Sequence, residues 1–155
     1  MDAAGQNDIA HQDDVLEEAS FTLASTLDSV QKVESSTEAM ALRAGFDEDT
    51  ASNMAMVTHE AVINAVKHGN RLAPDKTVSV HLSRTARKMV ICIADQGEGL
   101  DPESLPDPLD PANLLRESGR GIFLMRAMMD EVHFRQLEQG TEVTLVKYRN
   151  TEASS

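Results

Sequence analysis

One apolar-periodic stretch, His59-Glu60-Ala61-Val62-Ile63-Asn64-Ala65-Val66-Lys67-His68, sets Glu60, Asn64 and His68 at intervals of four. On an α-helix that interval stacks the polar side chains on one face, while Ala55, Val62 and Val66 are left to pack elsewhere. Asn is a poor residue for a helix interior, and its amide oxygen is a hard ligand suited to Mg²⁺. A carboxylate one turn earlier can take a proton or orient a nucleophile. A solvated polar stripe explains the same spacing, and this helix alone does not choose between the two.

A second piece is Asp95-Gln96-Gly97-Glu98-Gly99, which follows the apolar run Met89-Val90-Ile91-Cys92-Ile93. An ionised Asp only accepts hydrogen bonds, so it can read an exocyclic amino group such as that of adenine. The two glycines permit a tight turn and a close approach of ligand to backbone, although Asp and Gly also make ordinary strand-ending turns. The third piece, Ser118-Gly119-Arg120-Gly121-Ile122, opens a helix. Backbone N–H groups at a helix start can cradle phosphate with help from the helix dipole. It is not a Walker A loop, because the closing Lys-Ser/Thr pair is absent.

These pieces need elements to hold them. Ser20 to Leu27 alternates apolar and polar residues and reads as an edge strand. Leu27 to Ala44 has apolar or small residues at helical spacing, with Gly45 as its stop. Asp47 is placed as the N-cap of a long helix that reaches His68 and closes at Gly69. Thr77 to Ser83 and Lys88 to Ala94 read as strands joined by a short polar turn. From Leu100 to Ser118, Pro102, Pro106, Pro108 and Pro111 rule out a continuous helix or a central strand, and a loop this long suggests a lid. A helix from Gly119 to Asp130 follows, then strands at Val132 to Leu137 and Glu142 to Tyr148 around Gln139-Gly140. The order fits an α/β (α+β) two-layer sandwich: a mixed, mostly antiparallel sheet covered on one face by helices. Residues 18–149 form the domain, and residues 1–17 and 150–155 read as disordered tails.

Composition narrows the function. With 14 basic against 26 acidic residues, the 155-residue chain carries a formal net charge of −12. It therefore offers no footprint for a phosphate backbone, and direct nucleic-acid binding is disfavoured. Nothing approaches a membrane span or a secretory signal, so the expectation is a cytoplasmic protein with no membrane association. Cys92 is the one cysteine, which leaves no intrachain disulfide; within its apolar run it reads as a small buried hydrophobe. The methionines, among them Met40, Met125, Met128 and Met129, read as adaptable core.

Taken in order, the three pieces and Gly140-Thr141 resemble the N, G1, G2 and G3 boxes of the GHKL, or Bergerat-fold, ATPases. The resemblance runs from about residue 20 to residue 148. It is closest to the bacterial anti-sigma-factor serine/threonine protein kinases, which have this order of elements. They also carry a run similar to Gly121-Ile122-Phe123-Leu124-Met125-Arg126-Ala127-Met128-Met129-Asp130-Glu131-Val132. Glu60-Ala61-Val62-Ile63-Asn64-Ala65 with the following His68-Gly69 is similar to that group as well.

The resemblance implies roles. Glu60 is the general base or nucleophile-orienting residue, and Asn64 the Mg²⁺ ligand. Asp95 is the adenine-reading carboxylate, Gly97 and Gly99 shape its pocket, and Thr141 lies beside the base. Gly119, Arg120 and Gly121 lie by the phosphates, and the proline-rich segment is the ATP lid. A lid arginine that reaches the terminal phosphate is either Arg116 or Arg120. His68 is carried as a nucleotide-side candidate, with a capping or packing role as its alternative; His59 points about 100° away from Glu60 around the helix and is given no catalytic part. The implied activity uses Mg²⁺ and ATP to phosphorylate an anti-sigma-factor antagonist. The same protein, commonly a homodimer, sequesters a sigma factor. The rival is an ATP-gated protein-binding switch of the same fold that transfers no phosphate.

Overall fold

The computed structural model describes residues 14–26, 30–97 and 117–149. In chain order these form strand β1 (Glu17–Ala24), helix α1 (Val30–Arg43), helix α2 (Glu48–Asn64) running into a π-helical turn (Ala65–Gly69), strands β2 (Thr77–Arg84) and β3 (Lys88–Ala94), helix α3 (Glu117–Met128), and strands β4 (Glu131–Gln136) and β5 (Thr141–Tyr148). The sheet order is β1-β2-β3-β5-β4, and every pairing is antiparallel. The expected sandwich is therefore present, without a parallel component among the described strands.

The strands form where side chains alternate. In β2, Val78, Val80 and Leu82 are buried, and in β3 Met89, Ile91 and Ile93 are, while the residues between them are exposed or half-buried. The buried set, with Leu23, Val143 and Leu145, meets the helices in one core. α1 contributes Val30, Val33, Met40 and Ala41, and α2 contributes Met54, Val57, Ala61 and Val62. These positions repeat every three or four residues, the spacing of a single helical face. Met40, Met125 and Met129 are buried there and Met128 packs against them, as expected of flexible core fillers. Thr37 and Thr58, fully buried inside helices, donate back to the carbonyls of Val33 and Met54, both at 2.8 Å.

The helix ends follow local chemistry. α1 stops in a Schellman arrangement: Gly45 has φ +99°, its N–H reaches Leu42 O, and Phe46 N–H reaches Ala41 O. The Asp47 carboxylate caps α2 by accepting from Thr50 N at 2.7 Å.

Several boundaries differ from the sequence reading. β1 begins at Glu17, the last residue assigned to the N-terminal tail, because Glu17 is pinned by Arg43 and by Arg84 Nε, the latter at 2.9 Å. α3 begins two residues before Gly119. The long helix does not stay α-helical to His68: it widens into the π turn at Ala65, which breaks the interval-of-four register beyond Asn64. Cys92 is half-buried on the outer face of the sheet, not in the core. Pairing puts it in a row with Ser20, His81, Thr144 and His133, and its Sγ lies 3.5 Å from Thr144 Oγ1. The proline-rich segment and both chain ends beyond residues 14 and 149 lie outside the described residues.

Candidate functional site

One end of the sheet gathers the site. There β3 runs out into Asp95-Gln96-Gly97, next to the start of β5, and the π turn that ends α2 closes over both. Asp95 is 8% exposed. Its Oδ1 accepts from Gly97 N at 2.9 Å and Thr141 N at 3.1 Å, and its own N–H donates to Thr141 O at 3.0 Å. Burial pushes the Asp95 carboxyl above the usual carboxylate range; the N–H groups of Gly97 and Thr141 and the charge of Lys76 pull the other way. A carboxylate held by two backbone donors on one oxygen has a fixed direction. That is what recognition of a single amino group requires.

Glycines make this approach possible. A Cβ on Gly69 would sit 2.2 Å from Asp95 Oδ2, and one on Gly97 would sit 2.0 Å from Gly69 O. Gly140 has φ +95°, and a Cβ there would lie 1.9 Å from Asp95 O. Larger residues would push the turn, the hairpin and the carboxylate apart. Gly97 and Thr141 are thus brought together around Asp95.

Asn64 is the second centre. Its Oδ1 is buried and has no hydrogen-bond partner among the described residues. Unpaired buried carbonyl oxygens are rare and costly, and one in a site calls for an absent donor or cation. The start of α3 comes close to it: a Cβ on Gly121 would lie 2.7 Å from Asn64 Nδ2. Glu60, half-buried, is one regular α-turn before Asn64, so the two share a face. α3 starts at Glu117, so Gly119 falls in its first turn, where backbone N–H groups lack intrahelical acceptors, while Arg120 and Gly121, its fourth and fifth residues, follow where the helical ladder has begun. His68 is exposed on the π turn. His59 turns to α1, where Glu34 Oε2 is 3.0 Å from its Nδ1. Gly99, Arg116 and the Arg120 side chain lie outside the described residues.

The donor set fits an ATP-bound Mg²⁺. The described residues contain no His, Cys, Asp and Glu cluster able to hold a metal by itself. Mg²⁺ in nucleotide sites is held by one or two protein oxygens together with substrate phosphates, and the orphaned Asn64 oxygen is one such group. No described helix is long and apolar enough to cross a membrane.

The sequence reading missed Gly69 and Asn70. Gly69 reads in the sequence as a helix stop and as part of the family-like His68-Gly69 pair, with no role in the site, yet it abuts Asp95; Asn70, 1% exposed, bonds to the Asp95 turn. The Gly-Asn pair after a long helix was the available signal, and both residues also suit a plain helix end.

Comparison with known proteins shows the family. The model of the histidine kinase-like ATPase domain family matches residues 23–147. The serine-protein kinase RsbW of Bacillus licheniformis is 32% identical over 121 residues, covering 73% of this chain and 74% of that protein. RsbW of Staphylococcus epidermidis is 33% identical over 117 residues, covering 71% and 73%. Among solved structures, the RsbU and RsbW domains of a Mycobacterium tuberculosis protein superpose with a TM-score of 0.58 at 18% identity. That match covers 86% of this chain and 33% of the longer one. A blue-light activated histidine kinase of Erythrobacter litoralis gives a TM-score of 0.57 at 14% identity, over 83% of this chain and 43% of that one. Both likenesses are of fold. The chain belongs to the histidine kinase-like ATPase domain family and, within it, to the serine-protein kinases of the RsbW kind.

Proposed function

We propose that this protein transfers the γ-phosphoryl group of ATP to a serine or threonine hydroxyl of an anti-sigma-factor antagonist, and that it sequesters a sigma factor. The observation that carries the reading is the buried, unpaired Asn64 oxygen, one helical turn after Glu60 and against the start of α3. In this arrangement Asp95 receives the adenine amino group, with Thr141 beside the base. Gly119, in the first turn of α3, presents its backbone N–H group to the phosphates, with Arg120 and Gly121 beside them. Asn64 Oδ1 would hold Mg²⁺, which when bound neutralises phosphate charge. Glu60 orients the acceptor hydroxyl. The hydroxyl oxygen forms the new O–P bond, its proton passes to the Glu60 carboxylate, and the bond to the leaving ADP oxygen breaks. Such chemistry asks the protein mainly for positioning and charge stabilisation. The partners are an antagonist and a sigma factor, and the working unit is a homodimer, a point that light scattering tests directly.

Single-turnover transfer to the antagonist, measured beside Mg-ATP affinity, tests the reading on two variants. Glu60→Gln keeps the side-chain shape and removes the charge. It should leave affinity within a fewfold and slow transfer by on the order of 10²-fold or more. Asn64→Ala should weaken Mg-ATP binding and transfer together. Full activity in Glu60→Gln would remove the catalytic assignment, and an unchanged Mg²⁺ dependence in Asn64→Ala would remove the metal one. A wild-type protein that retains partners in an ATP-dependent way yet transfers no phosphate would be a switch and not a kinase.

A further inference from the structure

Asn70 takes no part in the transfer, yet it is the most heavily committed buried polar side chain near the site. Its Oδ1 accepts from Gln96 N at 2.7 Å. Its Nδ2 donates to Ser25 Oγ at 2.8 Å and to the Thr77 carbonyl at 2.9 Å. One amide thus ties the end of β1, the start of β2 and the turn after β3 to the end of the π turn. Gln96 reinforces the tie, since its own Oε1 accepts from Thr77 N at 2.8 Å. The chain around Asn70 is itself held against its preference. Arg71 and Leu72 have φ of 53° and 59°, a left-handed conformation that residues with a Cβ avoid. Asn70 N–H to Ala65 O and Leu72 N–H to Val66 O, both 2.8 Å, fasten that bend onto the helix. A buried amide with every bond directed at a different segment specifies geometry more than it adds stability.

We propose that Asn70 is the positioning residue for base recognition: it fixes the direction of the Asp95 carboxylate and thereby sets the preference for adenine over guanine. This rests on the reading of Asp95 as the adenine acceptor. Gln96 lies between Asp95 and Gly97, and Gly97 N–H is one of the donors that orient Asp95 Oδ1. Release of Gln96 N–H from Asn70 frees that peptide to rotate and carries the Gly97 donor away. Asn70 also directly follows Gly69, whose Cα side abuts Asp95 Oδ2. One side chain therefore controls what touches both carboxylate oxygens. Hydrogen bonds weaken steeply with angle, so a rotated carboxylate loses the bond that separates adenine from guanine. Contacts to the phosphates at Asn64 and α3 are common to both nucleotides.

The test uses the full chain and its Asn70→Ala, Ser25→Ala and Asp95→Ala variants, titrated with Mg-ATP and Mg-GTP, with circular dichroism giving the folded fraction. Asn70→Ala should raise the Kd for ATP on the order of tenfold, the scale of one misdirected hydrogen bond to a charged group, and change GTP about twofold or less. The KM for ATP should rise more than kcat falls. Ser25→Ala, which removes one acceptor of the amide, should move the ATP-to-GTP ratio the same way by a smaller factor. Hydrogen exchange at Gln96 and Gly97 should accelerate in both. An Asn70→Ala protein that melts earlier but keeps the ATP-to-GTP ratio in its folded fraction would make Asn70 a fold residue and overturn the proposal. Should Asn70→Ala fail to fold, an unchanged ratio and unchanged exchange in Ser25→Ala would overturn it instead. Asp95→Ala tells the two readings apart. If it loses the preference while Asn70→Ala retains it, only the Asn70 inference falls. If Asp95→Ala keeps the preference, the adenine assignment falls and takes the inference with it.

Discussion

Asp95 carries a cost that the proposed recognition of adenine explains. Burial holds its folded pKa above the unfolded value, so the ionised form is the disfavoured one in the folded protein. Its contribution to stability is therefore most favourable below the unfolded pKa and shrinks as pH rises through the folded one. Asp95→Asn keeps an acceptor for Gly97 N–H and Thr141 N–H and removes the buried charge. At pH 7 the nucleotide-free variant should melt slightly higher than the wild type, by a gain of about 1 kcal/mol or less. That gain should fade toward pH 4, as the wild-type carboxyl takes up its proton. Affinity for ATP should meanwhile fall by roughly 1–3 kcal/mol, the range for losing a hydrogen bond to a charged group. Melting curves at both pH values and calorimetry with ATP check the pair of effects; a variant that loses stability and keeps affinity would reverse the assignment.

At the scale of elements, the close approach of α3 to α2 and the anchoring of β1 make separate predictions. Gly121 is the point of approach, and the atom in the way of a Cβ is the end of the Asn64 side chain, 2.7 Å distant. Gly121→Ala should therefore be tolerated by the fold, because a side-chain end yields more easily than backbone. It should displace the Asn64 oxygen and weaken Mg-ATP binding about tenfold, while the change in melting corresponds to about 1 kcal/mol or less. Equal affinity in Gly121→Ala would mean that α3 does not fix the Asn64 side chain. The edge strand β1 is tied by Glu17, which accepts from Arg43 on α1 and Arg84 on β2. Those guanidiniums hold the Glu17 pKa down at about 2, from 4.5. A depressed folded pKa stabilises above the unfolded value, and the contribution is lost as pH falls from about 5 toward 2. Glu17→Gln should cost about 1 kcal/mol at pH 7, the upper range for a partly exposed pair. The difference from wild type should narrow as both are melted at progressively lower pH, and a constant difference down to pH 2 would discount the ion pairs.

For the molecule as a whole, nucleotide binding and folding are linked. A ligand that binds only the folded state at about a hundred times its Kd adds about 2.7 kcal/mol of stability. For a chain of 155 residues that raises the melting temperature by roughly 5–11 °C, at about 2–4 °C per kcal/mol. Mg-ATP should produce a rise of that order, and chelation of Mg²⁺ should remove most of it if Asn64 contributes through the metal. The same chelation without nucleotide should leave the melting temperature where it was, since no described metal cluster supports the fold itself. A chelator effect on the nucleotide-free protein would point to a structural metal.

The amphipathic elements were legible because periodicity is local. Lys88–Ala94 has its predicted bounds, the Asp47 cap stands as read, and Gly45 stops α1, because each depends on neighbours a few residues away. The pieces of the site were legible by residue type and order: an Asn one turn after a Glu, an Asp after an apolar strand, glycines at a helix start. Contacts distant in sequence were not. Asn70 looks like any residue after a helix until folding brings Ser25, 45 positions away, and Gln96, 26 away, to its amide. The π turn arises in the same way: a long helix pattern says nothing of a Gly69 that must lie flat against Asp95. Cys92 sits in an unbroken apolar run, Met89 to Ile93, so alternation could not tell its face; sheet pairing put it outward beside Thr144. Sequence alone settled which chemistry the chain carries, since that is written in residue types and their order. Only the tertiary structure decided what turns a common Asp-x-Gly turn into a directed acceptor, because that direction is set by donors and close contacts from β5 and the end of α2.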